Sequence, residues 1–115
     1  MSEAVRRFLL EFKQAATSGS GIDLVPRQGV KETLEWLGLT KRDVEQILLG
    51  LSVTDFCKGP LPDKDKPGEL WEFGKQIEGQ DVYIKLKVAD VAGVKIAKCI
   101  SFHIAKHPLK YPHRK

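Results

Sequence analysis

The chain has 115 residues, enough for one domain (residues 1–115) with a core of its own. Hydrophobic residues make up 42% and charged residues 30%, which excludes a disordered chain, and no apolar run approaches the roughly 20 residues needed to span a bilayer. The formal net charge of +4 is concentrated at one end: no acidic residue follows Asp90, whereas Lys95, Lys98, Lys106, Lys110, Arg114 and Lys115 do follow it, and such a basic segment attracts an anion such as RNA.

The N-terminus lacks the apolar stretch and cleavage site of a signal peptide, so the cytoplasm is the expected location and no membrane is expected as a partner. From Glu3 to Thr17, Val5, Phe8, Leu9, Phe12, Ala15 and Ala16 recur at helical spacing and predict an amphipathic helix, stopped by Ser18-Gly19-Ser20-Gly21. Ile22–Val25 is a short β-prone piece before Pro26. Gly29–Leu37 predicts a second helix closed by Gly38, and Thr40 caps a third from Lys41 to about Leu49, with Asp43 as its capping-box partner. Strands are expected at Ser52–Lys58, Glu69–Gln76, Asp81–Ala89 and Val94–Ile104, with Gly59–Gly68 as a polar, charge-balanced connecting loop. Helices followed by an antiparallel meander make an α+β domain.

Strand alternation sorts the side chains onto two faces. Val82, Ile84, Leu86 and Val88 share one face with Ile96, Ile100, Phe102 and Ile104, while Trp71 and Phe73 oppose Glu72. The other face is expected to carry Glu72, Tyr83, Lys85, Lys87, Cys99, Ser101 and His103. A carboxylate, a phenol, ammonium groups and an imidazole on one side of a sheet include proton donors, proton acceptors and phosphate binders; a solvated sheet face has the same alternation. The two cysteines, Cys57 and Cys99, fit no metal or redox spacing and read as reduced core thiols, and no metal or cofactor site is expected.

Ile47-Leu48-Leu49-Gly50-Leu51-Ser52-Val53-Thr54-Asp55-Phe56-Cys57-Lys58, then Leu70-Trp71-Glu72, Gly79-Gln80-Asp81-Val82-Tyr83-Ile84-Lys85-Leu86 and Ile100-Ser101-Phe102-His103 follow one another in an order and spacing that resembles the MqsR (motility quorum-sensing regulator) toxin family over residues 38–104. The resemblance implies a RelE-like fold, with helices on one face of a curved antiparallel sheet. It also implies a metal-independent endoribonuclease of a type II toxin–antitoxin system, which cuts mRNA and is neutralised by a partner antitoxin, in such systems commonly a helix-turn-helix protein. The family's catalytic lysine falls on Lys58 and its tyrosine on Tyr83. The family's glutamine is Glu72 here, and its lysine after Ser-Phe is His103. These are departures, as is the basic tail 105–115, which extends past the family's usual end.

Cleavage of RNA needs a base for the 2′-OH, an acid for the leaving 5′-oxygen and cations for the phosphoryl oxygens. Lys58, Glu72, Tyr83 and His103 are the expected catalytic residues. Histidine is the side chain that ordinarily titrates nearest neutral pH. Lys85, Lys87, Ser101 and Lys106 are expected to bind phosphate. Two other readings use the same basic face: a non-catalytic RNA-binding module, and a protein-interaction subunit for an acidic partner.

Overall fold

The computed structural model describes residues 2–19 and 21–114. Met1, Ser20 and Lys115, the last of which belongs to the basic tail, lie outside the described residues. Helix α1 (Ser2–Ser18) buries the stripe Val5, Phe8, Leu9, Phe12, Ala15 and Ala16 that its sequence spacing predicts. Phe8 stacks on Trp71 of the sheet with ring centroids 4.8 Å apart, and Phe12 is fully buried.

Strand β1 (Ile22–Leu24) leads to α2 (Gln28–Leu37), which ends at Gly38 in the left-handed conformation. Helix α3 (Lys41–Leu49) starts at a reciprocal cap: Thr40 Oγ1 accepts from the Asp43 N–H at 3.1 Å, and the Asp43 carboxylate accepts from the Thr40 N–H at 2.9 Å. One 3-10 turn, Val53–Asp55, then precedes four strands: β2 (Phe56–Pro62), β3 (Glu69–Ile77), β4 (Gln80–Val91) and β5 (Val94–Ile104).

The sheet order is β1-β5-β4-β3-β2. β2 to β5 form an antiparallel meander, and β1 adds to β5 in parallel, with Ile22 opposite Ala97 and Leu24 opposite Cys99. Among the described residues the fold is therefore α+β, with three helices and a five-stranded, mainly antiparallel sheet. One face is the core: Phe73, Val82, Ile84, Leu86 and Phe102 are fully buried there, each contributing about 1.5–3 kcal/mol relative to exposure. Among the described residues, no helix is long and apolar enough to cross a membrane.

Three expectations are corrected. Ser52–Asp55, expected to open the strand, forms a capped 3-10 turn instead, with the Asp55 carboxylate accepting from the Ser52 N–H, and the strand begins at Phe56. Gly59-Pro60-Leu61-Pro62 extends β2 instead of opening the loop, with Leu61 opposite Leu70 and Pro62 opposite Glu69. β2 is an edge strand, so the missing prolyl N–H groups leave no neighbouring strand unpaired. The alternation along β5 also breaks: Lys85 faces Ser101 but Leu86 faces Cys99, so Ile100 is an extra residue in a bulge. Cys99 therefore points into the core with no exposure, and Ile100 lines a groove on the opposite face.

Candidate active site

The face of the sheet turned away from the core carries two rows of functional side chains. In the first, Lys58 on β2 lies opposite Glu72 on β3, Glu72 opposite Lys85 on β4, and Lys85 opposite Ser101 on β5. Directly opposed residues on one face have Cβ atoms about 4.5–5.5 Å apart. Two residues further along the strands the second row reads Gly74, Tyr83 and His103. The Tyr83 and His103 rings are 5.0 Å apart between centroids, and Lys85 Nζ lies 5.8 Å from the Tyr83 ring centre. The antiparallel register thus joins Lys58, Glu72, Tyr83, Lys85, Ser101 and His103 from four strands on one face.

Burial, and then the Glu72 carboxylate beside it, push the Tyr83 phenol well above its ordinary range. The phenol stays protonated at neutral pH and is a hydrogen-bond donor there. His103 Nδ1 lies 2.9 Å from the Ile104 carbonyl oxygen. A carbonyl only accepts, so Nδ1 carries the proton and Nε2 of a neutral ring keeps its lone pair for an incoming group.

Lys87 is corrected: it shares the face of Lys85, but its side chain is only 4% exposed and its ammonium bonds to Asp63 at 2.7 Å beneath the loop 63–68. That bond, together with the Asp65 and Lys66 backbone N–H groups, holds the Asp63 carboxyl down at about 2. Lys87 is a structural cation that pins the loop and is not open to a phosphate. Lys106 lies past the end of β5, exposed, on the wall of a groove that also includes Ser101 and His103. A second groove, of about 810 Å³, takes in Lys85, Lys64, Lys66 and Lys98, with Asp23, Asp63, Asp65 and Asp90 among them. Arg27 borders both grooves.

The fold brings in residues that the alternation pattern missed. The register of β2 against β3 shifts between Phe56 and Lys58, placing Cys57 close enough to Glu72 for its charge to be felt. Burial first, and then Glu72, raise the Cys57 thiol to about 11, so it is no thiolate at neutral pH. The tail, read along the sequence as a basic extension, folds back onto the sheet and the 3-10 turn while Lys106 and Lys110 stay exposed. Ala105 N–H bonds to the Asp81 carbonyl, His113 stacks on Phe56 at 5.3 Å, and Arg114 bonds to the Thr54 carbonyl and the Asp55 carboxylate. Leu109 and Tyr111 settle onto Gly74, where a Cβ atom would stand only 2.5 Å from each. The missing side chain is what lets Tyr111 reach the row of Tyr83 and His103. A glycine in mid-strand marks such a close approach and was the one available signal.

Among the described residues, no group of three or more His, Cys, Asp or Glu side chains is placed to hold a metal ion. Compared with protein-family models, with curated proteins and with solved structures, the chain has no match.

Proposed function

We propose that this protein is an endoribonuclease with a RelE-like fold, the toxin of a type II toxin–antitoxin system, cutting single-stranded mRNA in the cytoplasm without a metal. The observation that carries the reading is the cross-strand register, which sets an imidazole and a phenol 5.0 Å apart beside a row of lysine, glutamate and lysine. In the proposed reaction the ribose 2′-oxygen loses its proton to a base, bonds to the adjacent phosphorus and expels the 5′-oxygen. An acid protonates that oxygen as it leaves, so the products are a 2′,3′-cyclic phosphate and a 5′-hydroxyl. The Glu72 carboxylate takes the 2′-OH proton, and His103 in its imidazolium form gives its Nε2 proton to the leaving 5′-oxygen. Tyr83 donates to an oxygen of the reacting ribose or phosphate, and Lys58 and Lys85 neutralise the phosphoryl oxygens. A protein antitoxin is the proposed partner, as the resemblance to the MqsR family implies.

The test is cleavage of a labelled single-stranded RNA by purified protein, with product ends analysed. His103→Ala is expected to lose about 10²–10⁴-fold in rate while its thermal midpoint stays near that of the wild type. Unchanged cleavage in that variant removes His103 from the chemistry. RNA binding without any cyclic-phosphate product makes the protein a binding module instead.

A further inference from the structure

Helix α2 lies along the part of β5 that β1 leaves open. Thr33 Oγ1 accepts from the Ile104 N–H at 3.2 Å, where a strand neighbour would otherwise bond. Gly29 lets the helix sit close, since a Cβ there would be 3.2 Å from His103 Cβ. With Gly29 and Thr33 against the strand, the next stripe of the helix, Gln28, Glu32 and Trp36 at successive i, i+4 positions, borders a groove of about 640 Å³. His103 and Lys106 are on the same lining, and Arg27 stands at the helix entrance.

Trp36 is 75% exposed, whereas the protein's other tryptophan, Trp71, is buried in the core. An open indole on the same groove as a candidate catalytic imidazole and two cations suits a flat aromatic ring attached to a phosphate chain. Glu32, one turn from Trp36, offers an acceptor for the amino edge of such a ring, and Arg27 and Lys106 supply charge for phosphates. Trp36 lies seven positions after Gly29 along the helix, about 10 Å, so a base stacked on Trp36 can belong to a nucleotide neighbouring the scissile phosphate.

We infer that Trp36 is the stacking platform of a nucleobase subsite for single-stranded RNA, with Glu32, one helical turn away, at the base edge and Arg27 and Lys106 on the flanking phosphates. The inference rests on the nuclease reading for its register relative to the cleaved bond.

The experiment titrates the full chain with a short fluorescein-labelled oligonucleotide of mixed sequence bearing 2′-O-methyl riboses, which has no free 2′-OH to attack. Trp36→Ala is expected to bind roughly five-fold to a hundred-fold more weakly, and Trp36→Phe to recover most of the loss by keeping an aromatic face. With unlabelled oligonucleotide, indole emission is expected to be quenched at saturation in the wild type and unquenched in Trp36→Phe, which retains only Trp71. Equal affinities of wild type and Trp36→Ala, in variants whose melting is unchanged, overturn the subsite, even if Trp36 is then found to hold a protein partner. Cleavage of unmodified RNA, measured in parallel, separates the two readings. Trp36-dependent binding without cleavage sinks the nuclease and leaves the subsite. Cleavage with Trp36-indifferent binding sinks the subsite alone, and no binding by the wild type sinks both.

Discussion

Replacing Asp55 tests how the tail is held. Its carboxylate, 2% exposed, accepts from the Ser52 N–H at 2.9 Å, from Lys75 Nζ at 3.4 and 3.5 Å, and from Arg114 Nη2 at 3.2 Å. Removing one partner of a fully buried ion pair costs about 3–5 kcal/mol because a charge is stranded. Here Lys75 is 40% and Arg114 44% exposed, so both cations turn to water when the carboxylate goes. What is lost is the set of charge-assisted hydrogen bonds, at about 1.5–3 kcal/mol each before discounting for that exposure. Asp55→Ala should therefore destabilise by about 2–3 kcal/mol, lowering the thermal midpoint by roughly 8–15 °C in a domain of this size. Asp55→Asn, which keeps an acceptor for Ser52, should fall between. The assay is thermal unfolding followed by circular dichroism, with tryptic cleavage after Lys110 as the reporter of tail release. A midpoint for Asp55→Ala within about 2 °C of the wild type, with the tail still protected, refutes the assignment of Asp55 as the anchor.

The Lys87–Asp63 pair makes stability depend on acid. Because folding lowers the Asp63 carboxyl to about 2, its contribution is complete above the ordinary carboxylate range near 4 and is lost as pH falls from about 4 towards 2. The melting difference between wild type and Asp63→Asn should therefore shrink over that window, and a difference that persists at the acid end refutes it. Cys57, raised to about 11, should react with iodoacetamide roughly a hundred-fold more slowly near neutral pH in the folded protein than a free thiol does, a ratio readable by mass spectrometry. Rapid, selective alkylation of Cys57 would contradict that burial.

Much of the site was legible along the chain because a strand's side chains alternate with a fixed period of two. Tyr83 and Lys85, or Ser101 and His103, share a face whatever the strands pair with. Helical periodicity likewise marked every buried position of α1, and the Thr40–Asp43 spacing marked the start of α3. Both are local properties of the backbone. Register, by contrast, is a relation between distant segments, so only the folded sheet aligned Lys58, Glu72, Lys85 and Ser101 in one row. The bulge at Ile100, which sends Cys99 into the core, leaves no period of its own in the sequence. The fate of charged groups was also a tertiary decision. Lys87 follows Lys85 in the same alternation, yet Asp63 pairs with Lys87 and buries it while Lys85 stays half-exposed. The residue pattern along each strand determined which groups could meet. Packing between segments far apart in the chain decided which of them did, because burial and pairing depend on neighbours that no local spacing encodes.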